Sequence, residues 1–501
     1  MRCDYSSLAV QDPTSMGQQE KRDGLTWPLI LALFSSTIGS SFVFGYNVSV
    51  MNAPAELIKT WIRNESYPTL HQSEPSKNVM TTLWCWIMAS WSLGGVIGGL
   101  GCGYLADKLG RKGAMMANDA LVLIGAILLG ISKVTNVYLL LLVGRIILGI
   151  SCGIGSCLPA IYLTEIAPLR FRGMMGNMNS FVVIVGIFIA QIFGQSQLLG
   201  KEALWPVLLS LSAFPAIFQL ITLPFCAESP KYLLAIKNRP EEARAALVHL
   251  RRHDDVGEEM NSMRDNIPIK NTKAECVEDG SSESFWWGIS ICVINHIAQQ
   301  LSGITAVLFF SATIFREQAQ MSGEQAVGAT LGVGGTFVLS SIISTAVIDR
   351  LGRRMLMLGG LAGVFVFDIM IFVSLHLLVI DRQKYHAAAL CAVIFVYLFV
   401  FTFTLGPASI PWFYTSELFG PTQRGRANMI ATIVNWLTSF LVGYTFLPLK
   451  EHIGEYVFLV YAAIAGACFL FLYFFAPETK GRQCKEIRKD LEVRRTRLHW
   501  K

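Results

Sequence analysis

The sequence predicts an all-α membrane protein: twelve transmembrane helices in two homologous six-helix bundles, joined by a cytoplasmic helical linker. Three observations carry that expectation. Twelve apolar runs are long enough to cross a bilayer, motifs recur at a period near 250 residues, and basic residues gather on one side of the runs. The 501-residue chain is 53% hydrophobic and 15% charged, with a mean hydropathy of +0.48, which is too apolar for an ordinary soluble protein. Its net charge of +6 is mild, so the placement of the bases informs more than their number.

In chain order, residues 1–26 form a polar tail without a cleavable signal pattern and are assigned to the cytoplasm. About twenty apolar residues span ~30 Å of hydrocarbon. Runs of this kind begin near Trp27, Thr81, Ala114, Val137, Gly176 and Trp205, and again near Phe285, Gln325, Met355, Ala387, Arg426 and Gly454. In lipid they must be helical, because no water is available to satisfy the backbone. The first bundle is therefore 27–227 and the second 285–479. Between them, 228–284 is polar. There Pro240-Glu241-Glu242 opens and Arg251-Arg252-His253 closes a stretch with Ala243, Ala246, Leu247 and Leu250 on one face, which suits short amphipathic helices at the cytoplasmic mouth. Residues 480–501 form a basic tail, expected to be solvated and drawn to anionic lipid headgroups.

The repeat is specific. Gly103–Lys112, GYLADKLGRK, returns as Ala346–Arg354, AVIDRLGRR, so that Asp107 matches Asp349, Gly110 matches Gly352 and Arg111 matches Arg353. Glu165 precedes Arg172-Gly173 by seven residues, and Glu417 precedes Arg424-Gly425 by the same spacing. Glu228-Ser229 is echoed by Glu478-Thr479, 250 residues on. Parallel halves of this sort are an architecture of secondary transporters.

Orientation follows from the turns after the second, fourth, eighth and tenth runs. They hold Lys108, Arg111, Lys112, Arg170, Arg172, Arg350, Arg353, Arg354, Arg424 and Arg426, which places those turns and both termini in the cytoplasm. Asn64-Glu65-Ser66 is a glycosylation sequon in the long first outer loop, whereas Asn47-Val48-Ser49 lies inside a run and should stay unmodified. Most of the 11 cysteines sit in apolar runs, so no disulfide framework is expected. No metal-ligand cluster, nucleotide loop or nucleophile–base pattern is present, so neither an enzyme nor a cofactor is expected, and nothing points to nucleic acid.

As a set, the doubled basic turns, Gly144-Arg145, Gln299-Gln300-Leu301-Ser302-Gly303, Gly406-Pro407…Pro411-Trp412-Phe413 and Pro477-Glu478-Thr479-Lys480-Gly481 resemble the sugar porters of the major facilitator superfamily. Within these the chain is most similar to the animal facilitative hexose carriers, from about Trp27 to Gly481. The resemblance implies a central cavity, alternating access and a plasma-membrane location.

A hexose loses hydrogen bonds to water on binding, and each one left unreplaced costs ~1–3 kcal/mol. Its site needs amides, hydroxyls and a flat aromatic surface, and no charge. The seventh run offers Gln299, Gln300 and Thr305. The eleventh carries Asn428, Thr432, Asn435 and Ser439 on one face, with Trp436 beside them. Trp412 lies where the tenth run should break, and Ser180 and Gln191 share a face of the fifth. Substrate contacts are assigned to Gln299, Gln300, Thr305, Trp412, Asn435, Trp436 and Ser180. Against the glucose-carrying pattern of the family, Ser180, Thr305, Phe309, Phe310, Phe337 and Thr404 replace more polar or larger residues, so a broad or unusual sugar preference stays open. A cytoplasmic gate is assigned to Glu165, Arg172 and Arg111 in one bundle and to Glu417, Arg424, Arg353 and Asp349 in the other.

Proton-coupled relatives carry an acid where Gly45-Tyr46 is followed here by Asn47, so the resemblance favours passive transport of glucose or a related monosaccharide. A proton-coupled sugar symporter and a non-transporting nutrient sensor are the alternatives. Asp119, Arg145, His296, Asp368 and His376 are the other ionisable groups within the runs. Asp119 is expected to snorkel or cap near a helix end, and Arg145 to bond carbonyls between helices.

Overall fold

A computed structural model describes residues 24–265, 282–381, 383–482 and 484–496. Among these residues every regular element is helical. Ten helical segments are apolar and long enough to cross a membrane: α1 Trp27–Ser49, α2 Lys77–Ile131, α3 Leu139–Ile166, α4 Arg172–Phe193, α5 Trp205–Phe225, α6 Ser284–Gln318, α7 Gly323–Leu351, α8 Arg353–Ile380, α9 Ala387–Leu418 and α10 Gln423–Phe475. At 55 and 53 residues, α2 and α10 each run to roughly 80 Å of helix, more than twice a hydrocarbon thickness. Gly110 interrupts α2 with φ 83° and ψ 173°, and a 3-10 turn over Gly454–Tyr456 interrupts α10.

Local chemistry sets the ends and the breaks. Ser76 caps α2 through the N–H of Val79, and Ser322 with Gln325 forms a reciprocal capping box at the start of α7. Two breaks position the interior polar groups. In α6 the helix stops at Gln300 and resumes at Ile304 beyond Gly303, whose φ of 89° suits a residue without Cβ. In α9 it stops at Leu405 and resumes at Ile410, with Pro407 in the gap and Pro411 in the first turn beyond it.

The largest apolar core draws on both ends of the chain, from Val43, Trp84 and Trp91 to Phe309, Phe310, Trp436 and Phe446. Polar contacts join the same two regions at the end away from the basic turns. Asn52 Nδ2 donates to Leu308 O (3.1 Å) and Ser311 Oγ (2.7 Å), Arg316 meets Glu56 at 3.3 Å, and Thr81 donates to Glu451 at 2.9 Å.

A helix runs over Pro240–Arg251, with Ala243, Leu247 and Leu250 buried. Arg251 is also buried, donating to Ile166 O at the end of α3 and to both oxygens of Glu259. A second helix follows over Gly257–Asp265. The basic tail differs from the solvated segment expected. Cys484–Thr496 is helical and buries Ile487 and Leu491 in one apolar cluster with Phe285, Leu418 and Phe419. Two apolar residues four apart are enough to dock an otherwise charged helix.

Candidate functional site

The breaks in α6 and α9 and the middle of α10 bring amide and hydroxyl side chains into one connected network. Gln299 Nε2 donates to the carbonyls of Pro407 and Ala408, both at 2.7 Å, which the break in α9 leaves without helical partners. Asn435 Nδ2 donates to Gln299 Oε1 and lies 3.1 Å from His296 Nδ1. Gln300 Nε2 donates to Asn435 Oδ1 at 3.1 Å, and Thr305 Oγ1 donates to Gln300 Oε1 at 2.6 Å. Trp412 stands edge-to-face against the His296 ring, centroids 5.0 Å apart. Of the residues expected to contact substrate, the fold therefore gathers Gln299, Gln300, Thr305, Asn435 and Trp412. His296, one turn before Gln300, joins them through its hydrogen bond with Asn435.

The other two lie elsewhere. Trp436 turns away from the network and packs against Trp91 (5.0 Å) and Phe44 (5.7 Å), its ring filling the space beside Gly95. A Cβ on Gly95 would lie 2.2 Å from that ring, so the close approach of α2 and α10 requires glycine. Ser180 lines a narrow cleft of about 20 Å³ with Ser341, Ser344, Thr404 and Phe413, between α4, α7 and α9. Phe309 and Phe337 are buried in apolar packing against Trp91 and Phe403.

At the end bearing the basic turns, the sequence repeat becomes a repeat of hydrogen bonds. Arg111 holds Glu165 through Nε (2.9 Å) and an Nη (3.0 Å), and Ser229 Oγ donates to the same carboxylate at 2.6 Å. Arg353 meets Glu417 at 3.2 Å, and Thr479 Oγ1 donates to it at 2.6 Å. Glu228 accepts the backbone N–H of Arg111, Lys112 and Ser229 at 2.8 to 3.2 Å, while Glu478 accepts those of Arg353, Arg354, Thr479 and Lys480 at 2.9 to 3.1 Å. Tyr162 donates to Ala227 O and Tyr414 to Pro477 O, each at 2.6 Å. Burial pushes the Glu228 carboxyl above its ordinary range, against the opposing pull of those N–H groups and the Arg111 charge.

Arg172 is exposed in the first turn of α4, and Arg424 donates to the carbonyl of Phe419. Neither is in the ion pair expected of it; the side chain of Asp349 lies outside the described residues. Glu228, Glu478, Ser229 and Thr479 are the members of these clusters that the gate assignment missed. They were already visible as a repeated motif.

Three charged groups are deeply buried. Arg145 donates to Asn47 O (2.8 Å) and Met88 O (3.5 Å) and stacks over Trp91, as expected of a residue bonding carbonyls between helices. Asp119 departs from expectation: it is 0% exposed, and neither carboxylate oxygen has a hydrogen-bond partner, so it does not snorkel. Asp368 Oδ2 is likewise buried and unpartnered. Asn47 is fully buried, its Nδ2 donating to Val43 O. Asn64 is exposed, while its sequon partner Ser66 is buried and bonded to Asn136 O and Tyr138 N. Among the described residues no group of three or more His, Cys, Asp or Glu could hold a metal ion.

Comparison with known proteins places this arrangement. A family model described as Sugar (and other) transporter matches residues 32–491. Facilitated glucose transporter protein 1 of Caenorhabditis elegans is 37% identical over 474 residues, covering 94% of this chain and 92% of the relative. Solute carrier family 2, facilitated glucose transporter member 3 of Ovis aries is 35% identical, covering 93% of each. The xylose transporter XylE from E. coli, in a partially occluded inward-open conformation, superposes with a TM-score of 0.74 at 21% identity, covering 91% of this chain and 100% of that one. The proton:xylose symporter XylE bound to 6-bromo-6-deoxy-D-glucose gives 0.73.

Proposed function

The chain belongs to the sugar transporter family of the major facilitator superfamily, and from that premise we propose that it carries a hexose across the plasma membrane as a uniporter. The observation that carries this reading is the closed network of Gln299, Gln300, Thr305 and Asn435 at two helix breaks, with Trp412 beside it. The network is uncharged, offers amides and hydroxyls, and sits against a half-buried aromatic ring. Those features match a neutral polyhydroxylated solute such as glucose or a close relative. Asn47 supports uniport, since an amide cannot bind and release a proton at physiological pH.

Twelve crossings in two six-helix bundles, 27–227 and 285–479, follow if α2 and α10 each cross twice, turning at Gly110 and Gly454. The basic turns and both termini then face the cytoplasm, and the linker 228–284 and the tail 480–501 lie on that side. The Asn52–Ser311 contact joins the outer ends of the two halves, which supports an inward-facing form. Alternating access would open this contact and close the Glu165 and Glu417 clusters toward each other. Asn64 is the proposed glycan site, and membrane lipid is the surrounding partner.

The unpartnered Asp368 favours one second reading, a proton-coupled symporter. Counterflow in proteoliposomes with labelled hexoses and polyols tests the substrate class. Exchange of a hexose supports the proposal, and exchange of no carbohydrate overturns it.

A further inference from the structure

At the end away from the basic turns, a cavity of about 930 Å³ lies between the outer parts of α7 and α9, a volume within the range of small-molecule sites. At its foot the two helices are tied together, Tyr397 Oη donating to Ala329 O at 2.9 Å. Its walls are Ala329, Ala389, Leu390, Val393 and Ile394, with Leu378 of α8 behind them. Leu390 and Ile394 are exposed, and a Cβ on Gly328 would meet nothing within 4 Å, so the cavity opens sideways. From His386 at the rim to Tyr397 is eleven residues, roughly 16 Å of helix and about one leaflet of a ~30 Å hydrocarbon core. Water filling this slot would find few hydrogen-bond partners along its walls, so its natural occupant is hydrocarbon. The rim is polar, and its hydrogen-bond directions can be read. Gln325 Oε1 accepts the Ser322 N–H at 3.2 Å, which leaves Nε2 as a donor. The Gln383 carbonyl can only accept, so His386 Nδ1, 3.4 Å away, carries the proton and leaves Nε2 of the neutral ring as an acceptor. A donor and an acceptor above an apolar slot one leaflet deep suit a hydroxyl, which serves as both. A lipid phosphate only accepts, and no Asp, Glu, Lys or Arg is among the described residues lining the cavity.

We propose that this cavity binds a membrane sterol, its hydroxyl held between Gln325 and His386 and its rings lying along Gly328, Ala329 and Ala389 toward Tyr397. A rigid, flat hydrocarbon matches a wall of glycine and alanine, while Leu390, Val393 and Ile394 pack against its methyl-bearing face. The bound sterol fills the space between α7 and α9 and stabilises their packing by mass action. This site goes beyond the carrier reading, shares only its orientation in the membrane, and does not depend on which solute is carried.

The test is photolabelling of the full-length protein by a diazirine sterol in phosphatidylcholine nanodiscs, with the labelled peptides mapped by mass spectrometry. Labelling should saturate and concentrate in 320–329 and 386–397. Cholesterol should compete about two- to tenfold better than its 3α-hydroxy epimer, the worth of one hydrogen bond. Gly328→Leu, which puts a side chain into the open space, should cut labelling of both segments by about fivefold or more. Gly359→Leu adds the same side chain to α8, where a Cβ also meets nothing within 4 Å, and should leave labelling unchanged. His386→Leu should weaken competition by cholesterol about two- to tenfold, and it decides the matter should Gly328→Leu fail to fold. Labelling spread evenly over the lipid-facing spans, labelling unmoved by Gly328→Leu, or equal competition by the two epimers would each overturn the inference. Equal competition by an added diacylglycerol would assign the cavity to an acyl chain and overturn it as well. Absence of carbohydrate exchange in proteoliposomes would overturn the carrier reading and leave this site standing.

Discussion

Replacing Gly110 with alanine should be strongly destabilising. At φ 83° and ψ 173° its backbone occupies a region essentially restricted to glycine, which costs another residue ~1–3 kcal/mol. The added Cβ would also stand 2.4 Å from Glu228 Oε2 and 3.0 Å from Tyr232 Cε1. The carboxylate would have to retreat from the backbone N–H groups of Arg111, Lys112 and Ser229 that it now bonds. Losing one such charge-assisted bond costs ~1.5–3 kcal/mol, so the total reaches about 3–6 kcal/mol. Gly352 repeats the geometry at φ 90°, its Cβ position 2.7 Å from Glu478 Oε2, and Gly352→Ala should behave alike. Gly101, in the same helix as Gly110, has nothing within 4 Å of its Cβ position, so Gly101→Ala should be neutral or slightly stabilising. Thermal unfolding in detergent, read beside sugar counterflow, separates the three. Gly110→Ala melting with the wild type would refute the reasoning, since neither strain nor the displaced carboxylate would then matter.

Three further outcomes follow from the same geometry. Gly95→Ala would drive a methyl to 2.2 Å from the Trp436 ring, and overpacking of ~1–3 kcal/mol should shift the population about 5- to 150-fold toward the outward-open form. Spin-label distances across the outer end read this shift, and Trp436→Leu should reverse it. Burial raises the Glu56 carboxyl, but Lys59, Arg316 and Arg63 outweigh it and hold the group below its ordinary 4.5. Because the folded value is depressed, the outer closure that Glu56 provides is complete above 4.5 and is lost as pH falls through that lower value. The distance distribution should therefore respond to acid in the wild type but not in Glu56→Gln. Glu417→Gln should favour the inward-open form by no more than about fivefold, since partly exposed ion pairs are worth ~0–1 kcal/mol. An unchanged conformer ratio would count against a gating role.

Much of this molecule is legible in its sequence because membrane helices answer to local rules. Apolar length, the caps at Ser76 and Ser322, and the breaks at Gly303 and Pro407 all belong to short stretches. The same holds for Gln299, Gln300 and Asn435, bulky amides at positions where lipid offers them no partner. Trp436 could not be placed so easily. One residue on from Asn435 is a rotation of about 100°, and the space it fills was made by Gly95, 341 residues away. Asp119 resembled a helix-end residue until distant helices closed over it. Glu228 and Glu478 were visible as a repeat, but their partners are backbone N–H groups, which carry no residue identity to search for. The tail helix was obscured by its charge, because only Ile487 and Leu491 dock it.

The central claim is passive passage of a neutral sugar, and the most direct measurement is uptake of a labelled hexose into proteoliposomes with pH clamped equal on both sides. The account predicts equilibration to the outside concentration, with a rate unaltered when a proton gradient is imposed and no alkalinisation outside on sugar addition. Accumulation above equilibrium driven by that gradient, or entry only in its presence, would contradict it.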